Sequence, residues 1–169
     1  KDWHKSLDHY FDNLSSRLCH AKPLPCNAND SSDCVSQAEA ETVFRLGEYE
    51  YSLTYRDSAE SLRASTSGYG IWIAELAQNL RDAASGRNGS KPIYRHNVAH
   101  DGSVSRLLSI LQIEKMVWPG MGAEVVFELY SSHAGCHFLR VLWGGQVLRS
   151  SHPAFEDMEM VPLETVLGY

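Results

Sequence analysis

The stretch from Pro92 to Gln112 changes its hydrophobic period partway along, and that change limits what the chain can fold into. Residues 92–98 follow a turn-forming Gly-Arg-Asn-Gly-Ser segment and form a short apolar, β-favouring run, which predicts a strand. His100 and Asp101 fall where that strand should end. From Ser103 onward, Val104, Leu107, Leu108 and Leu111 recur at helical spacing, with Ser103 as the candidate N-cap. Strand, His-Asp, helix is therefore the expected order. In open α/β sheets ligands gather outside the carboxyl ends of strands. A helix beginning there offers unpaired N–H groups and the positive end of its dipole to an anion. An imidazole beside a carboxyl at such a place can do proton chemistry on a phosphate or a carbonyl. Against this, a His-Asp pair arises by chance in many chains, and Asp101-Gly102 also reads as a plain turn.

Upstream of this stretch the pattern is helical. Trp3, Leu7, Tyr10, Phe11, Leu14 and Leu18 share one face of a helix expected over residues 2–20. Residues 21–35 carry two prolines and a run of Asn, Asp and Ser, and read as loop. Ser36-Gln37-Ala38-Glu39 has the form of a capping box, so a helix should follow through Val43, Phe44, Leu46, Gly47 and Tyr51 and reach toward Tyr55. Its aromatic residues look like a ligand-stacking face, but at this spacing they read first as core. Residues 57–68 read as loop or frayed helix. Tyr69 to Ala84 is helical, with Trp72, Ile73, Leu76 and Leu80 as its buried stripe and Gly86 as C′. Downstream, Val125, Phe127 and Leu129 alternate with Val126, Glu128 and Tyr130. A turn at Ser131 to Gly135, a returning strand from His137 to Trp143 and a Gly144-Gly145 turn complete a meander. Pro162 opens a last helix as its first residue.

The order predicts an α/β fold: the C-terminal part of a doubly wound sheet with helices on both faces, plus a mostly helical subdomain. Residues 1–90 would form the helical cap portion and residues 91–169 the C-terminal part of the α/β catalytic domain.

Composition narrows the partners. A formal charge of -6 without a basic run argues against nucleic acid and anionic membrane surfaces, and no apolar stretch is long enough to span a bilayer. An acidic chain can still bind phosphate through local donors. The sequons at Asn13, Asn29 and Asn88, with Cys19, Cys26, Cys34 and Cys136, fit a secreted glycoprotein with disulfides. Four cysteines admit three pairings. The favoured one closes a polar loop through Cys26–Cys34 and ties the helical part to the sheet through Cys19–Cys136. His4 and His9 do not stack on one helix face, and His133 and His137 flank a cysteine in a hairpin, so neither pair reads as a metal site. The chain has no Gly-X-Ser-X-Gly elbow and its cysteines look structural, which disfavours a Ser or Cys hydrolase.

Asn97-Val98-Ala99-His100-Asp101 and the helix after it resemble the second motif of the histidine acid phosphatases. Val117-Trp118-Pro119-Gly120, the strand from Ala123 to Tyr130 and the segment from Phe138 to Ser150 fit the same family in the same order. The segments around Cys19–Cys26 and Val43–Ser58 resemble its secreted fungal-type acid phosphatase and phytase branch. The resemblance implies hydrolysis of phosphate monoesters through a phosphohistidine. His100 would bind the phosphoryl group and Asp101 would act as general acid, with no metal and no organic cofactor. It also exposes a departure. The family's nucleophile lies in an Arg-His-Gly-X-Arg-X-Pro motif, which these residues do not contain; Arg95-His96-Asn97 lacks its Gly, second Arg and Pro. The chain is thus expected to carry the His-Asp half of a site, the other half lying in an N-terminal segment of the same domain, and to be nearly inactive alone. The competing expectation is a secreted binding module that keeps the fold without catalysis.

Overall fold

The computed structural model describes Lys5, residues 7–86 and residues 94–169. Trp3, His4 and the Asn88 sequon lie outside the described residues.

Helix α1 (Leu7–Cys19) buries Leu7, Phe11 and Leu14, while Tyr10 and Leu18 stay exposed, so its apolar stripe is narrower than expected. The polar segment after it is not simple loop. Strands β1 (Cys26–Asn27) and β2 (Asp30–Cys34) form a small antiparallel hairpin in which Cys26 faces Cys34, and the two are disulfide-bonded. The covalent closure supplies what the residues lack in strand propensity. The second expected bridge does not form: Cys19 and Cys136 are both free and exposed. Cys19 ends α1, which packs on the next helix along the chain, whereas Cys136 sits in the turn of a sheet hairpin.

Helix α2 (Gln37–Ser52) begins with the expected box. Glu39 N–H donates to Ser36 Oγ at 3.3 Å, and Ser36 N–H donates to Glu39 Oε2 at 2.8 Å. Two otherwise orphaned N–H groups are satisfied, so Ser36→Ala should lower the stability to urea by about 1 kcal/mol without changing the slope of the transition. The helix continues as a π-helical turn, Leu53–Asp57, closed by Ser58 N–H on Leu53 C=O.

Helix α3 (Ser61–Ala84) starts eight residues before the stretch read as helical. Ser61 and Ser65 are buried there, and α3 packs on helix α4 (Asp101–Ile110), where Ser105 and Ser109 are also buried. Small hydroxyl side chains let the helices approach, but they leave no trace in an apolar periodicity. Gly86 takes φ 67 after the C-cap, as its place predicted.

The strand expected over 92–98 is absent in its described part: Tyr94 to His100 has no regular structure. No described strand pairs with it, and Tyr94 and Val98 are 84% and 89% exposed. Strand-favouring residues cannot hold a strand without a neighbour to accept their hydrogen bonds.

The four-stranded sheet is antiparallel. Strand β4 (His137–Trp143) pairs along its length with β3 (Val125–Ser131), and also with the short β5 (Gln146–Val147) and β6 (Val161–Pro162). Gly144 and Gly145, both at positive φ, make the β4–β5 turn. Val125, Phe127 and Leu129 pack on the core, as their alternation predicted. Pro162 precedes helix α5 (Leu163–Leu167) as its N-cap rather than its first residue. The core joins Leu80 of α3, Leu107, Leu108 and Leu111, the inward residues Leu139 and Val141 of β4, and Leu148, Met158 and Leu163. The chain is therefore a mixed α/β fold in which α4 packs on α3 and contributes Leu107 and Leu108 to the core.

Candidate active site

His100 and Asp101 lie together where α4 begins. His100 is the N-cap, in extended conformation with an exposed side chain that takes no part in capping, and Asp101 is the first helical residue. The helix thus starts two residues before the cap expected at Ser103. An acidic side chain in the first turn suits the positive end of the helix dipole.

Three donors hold the Asp101 carboxylate. Gly102 N–H donates to Oδ1 at 2.7 Å. Tyr51 O–H, from α2, donates to Oδ2 at 2.6 Å, and Trp118 Nε1–H donates to the same oxygen at 2.7 Å. Trp118 is fixed by stacking. Its ring lies 4.1 Å from Phe11 at 11° on one face and 4.2 Å from Tyr51 at 20° on the other. Gly47 of α2 makes room, since a Cβ there would come within 2.7 Å of the Trp118 ring. The three-ring stack thus carries the packing of α1 against α2 onto one carboxylate.

Burial pushes the Asp101 carboxyl up, but the bonds from Tyr51, Gly102 and Trp118 and the neighbouring His100 outweigh it and hold the group below the ordinary carboxylate value. Tyr51 is pushed far above the usual phenol range by burial and by the carboxylate it serves, so it stays a donor. Asp12 is raised by burial and by the charges of Asp101 and Asp8. The carboxylate opens on a cleft of about 470 Å³ whose walls include Tyr51, Tyr55, Trp118, Asp12 and Glu50.

The sign of the pH dependence follows. Asp101 has a lower pKa folded than unfolded, so its bonds contribute stability above the ordinary value of 3.8 that is lost as pH falls through the folded value. Tyr51→Phe should raise the Asp101 pKa and shrink this acid-side loss. A carboxyl-carbon NMR titration of both proteins measures the first effect, and thermal melts below pH 4 measure the second.

No described protein family's sequence profile matches the chain. Over 158 aligned residues it is 28% identical to 2-phosphoxylose phosphatase 1 of Danio rerio. The match takes in 81% of this chain and 31% of that protein, so the chain spans about a third of the length of this curated relative.

Among the residues singled out, the structure brings together the adjacent His100 and Asp101 and the disulfide-bonded Cys26 and Cys34. His9, His133 and His137 remain apart from the His-Asp pair, and no group of three His, Cys, Asp or Glu side chains able to hold a metal ion occurs among the described residues. Asn13 lies on α1 with its Oδ1 accepting from Arg17 Nε at 3.0 Å, and Asn29 lies in the exposed β1–β2 turn. The sequence reads Tyr51 as core and Trp118 only as part of a motif. Both readings were incomplete, because each ring packs and also donates to Asp101. A half-buried Tyr or Trp needs a partner for its polar end, which is the one signal that could have found them.

Proposed function

We propose that this chain is the His-Asp-bearing part of a histidine acid phosphatase that hydrolyses phosphate monoesters. The observation that carries the reading is the Asp101 carboxylate at the start of α4, beside His100, bonded by Tyr51 and Trp118 and open to a cleft. The similarity to a protein named as a phosphatase supports it.

In this reading a histidine from a segment outside these residues attacks phosphorus. The bond to the leaving oxygen breaks as the phosphohistidine forms, and Asp101 gives its proton to that oxygen. The resulting carboxylate then takes a proton from the water that attacks phosphorus and releases phosphate, which restores both groups. His100 donates an N–H to a phosphoryl oxygen, where preorganised donors stabilise the shifting charge. Asp101 must be protonated for the first step, although its bonds in the unliganded protein favour the carboxylate. A phosphoryl anion arriving beside it raises its pKa, and the Asp12 carboxyl on the cleft wall, raised by burial and by its acidic neighbours, repels that anion less as pH falls. Both effects favour activity in acid. The mechanism uses no metal or organic cofactor, and residues 1–90 serve as a cap portion over the cleft.

The Cys26–Cys34 disulfide is compatible with a secretory route, and no described helix is long and apolar enough to cross a membrane. We take the protein as secreted, with glycans at sequons such as exposed Asn29. The test is hydrolysis of phenyl phosphate at mildly acidic pH, by this chain and by a longer one that includes the upstream sequence, each beside its His100→Ala variant. Activity confined to the longer chain and removed by the substitution supports the reading. Activity in neither form favours the second reading, a secreted binding module that keeps the fold without catalysis.

A further inference from the structure

The two oxygens of Asp101 are not equivalent. A carboxylate oxygen offers two lone-pair sites. On Oδ2 the Tyr51 O–H takes one at 2.6 Å and the Trp118 Nε1–H takes the other at 2.7 Å. Among the described residues Oδ1 accepts one bond, from the Gly102 N–H at 2.7 Å. One of its sites is therefore left for a proton. In an isolated aspartate the two oxygens exchange places readily, because the last torsion of the side chain is broad and roughly two-fold. Here the donors hold it. Trp118 cannot turn its N–H away, since its ring is stacked between Phe11 and Tyr51.

The place of a proton on this carboxyl follows from what each choice would break. An indole N–H donates and cannot accept. A phenol can do both, but the Tyr51 hydroxyl is held as a donor by the carboxylate it serves. Protonating Oδ2 would open one of its two short bonds, and short bonds to a carboxylate are the strong kind. Protonating Oδ1 leaves both in place. Oδ2 then becomes the carbonyl oxygen of the neutral acid and still accepts from two donors.

We infer that Tyr51 and Trp118 are positioning residues that confine the catalytic proton of Asp101 to Oδ1. This rests on the phosphatase reading for the reaction, but the place of the proton is measurable without turnover. In the first step the Oδ1–H bond breaks and its proton passes to the leaving oxygen. The bond from that oxygen to phosphorus breaks as the histidine–phosphorus bond forms. In the second step Oδ1 takes a proton from the attacking water. The new oxygen–phosphorus bond forms as the histidine–phosphorus bond breaks. Oδ2 keeps its two donors throughout, so the carboxyl neither rotates nor gives up a bond while the proton moves. Tyr51 and Trp118 act through Asp101 and exchange no proton themselves.

The experiment has two arms. The first is infrared spectroscopy of this chain in acid, with each protein read against its own Asp101→Asn counterpart, which isolates the carbonyl stretch of protonated Asp101. Hydrogen bonds to a carbonyl oxygen weaken its double bond, so the native band should lie below those of exposed aspartic acids. It should rise in Tyr51→Phe and in Trp118→Phe, since each removes one donor to Oδ2 and keeps a ring for the stack. With the proton on Oδ2 the carbonyl would be Oδ1, which neither ring touches, so a band unmoved in both variants overturns the inference. The second arm is turnover by the longer chain, on the acid plateau of kcat where Asp101 is protonated in every protein. Both substitutions should lower kcat for an alkyl phosphate about three- to tenfold and leave KM within about twofold, with p-nitrophenyl phosphate nearly unchanged because its leaving group departs without a proton. Equal losses on the two esters would overturn the positioning role. No turnover by the native longer chain would count against the phosphatase reading, while the infrared bands would still decide where the proton sits.

Discussion

Asp101→Asn should lower kcat for an alkyl phosphate by about 10²- to 10⁴-fold in a protein that carries the whole site, the usual contribution of a positioned general acid. Asparagine keeps the shape of the side chain, and its carbonyl oxygen can still accept from Tyr51 and Trp118, so the three-ring stack need not move. What it cannot do is deliver a proton. The loss must therefore depend on the leaving group: p-nitrophenolate departs without a proton, and the same substitution should cost p-nitrophenyl phosphate hydrolysis much less. Turnover of both esters by native and Asp101→Asn protein makes the comparison. Equal losses would remove the general-acid role and leave Asp101 a binding group. The native pH profiles carry a second signature. With phosphate bound, the neighbouring anion raises the Asp101 pKa, so the falling limb of kcat should lie at higher pH than that of kcat/KM, which reports the free enzyme.

Gly47→Val should destabilise the fold by about 1–3 kcal/mol, the ordinary cost of forcing extra carbon into a packed contact. Taken alone, replacing a glycine inside α2 would stabilise the helix by a few tenths of a kcal/mol. The surroundings reverse the sign. A Cβ at this position would lie 2.7 Å from Trp118 Cε3 and 2.8 Å from Phe11 Cδ2, and both are ring atoms of the stack. Trp118 has to shift, and its Nε1–H is one of the two donors to Asp101 Oδ2. The substitution should therefore also raise the Asp101 pKa although it does not touch that residue. Urea unfolding gives the first effect and a carboxyl-carbon titration the second. An unchanged midpoint would mean that the rings have room to yield, and an unchanged titration would mean that Trp118 does not help hold the carboxylate down.

Much of this architecture is local and was readable along the chain. The Ser36–Glu39 box, the stripe from Trp72 to Leu80, the alternation of Val125, Phe127 and Leu129 and the Gly144-Gly145 turn depend on residues within a few positions of one another, so spacing alone determines them. The same holds for the Cys26–Cys34 closure and for the adjacency of His100 and Asp101. Tertiary structure decided the rest. Tyr51 and Trp118 reach Asp101 across 50 and 17 residues, and only packing brings their polar ends to one oxygen. The early start of α3 follows from burying Ser61 and Ser65, side chains that no hydrophobic pattern marks. Cys19 and Cys136 stay unpaired because α1 packs on α2 and the other thiol turns out at a hairpin tip. The described part of the stretch before His100, Tyr94 to Ala99, has the residues of a strand and none of its ladder hydrogen bonds. Propensity is a property of a residue, whereas a strand exists only in company.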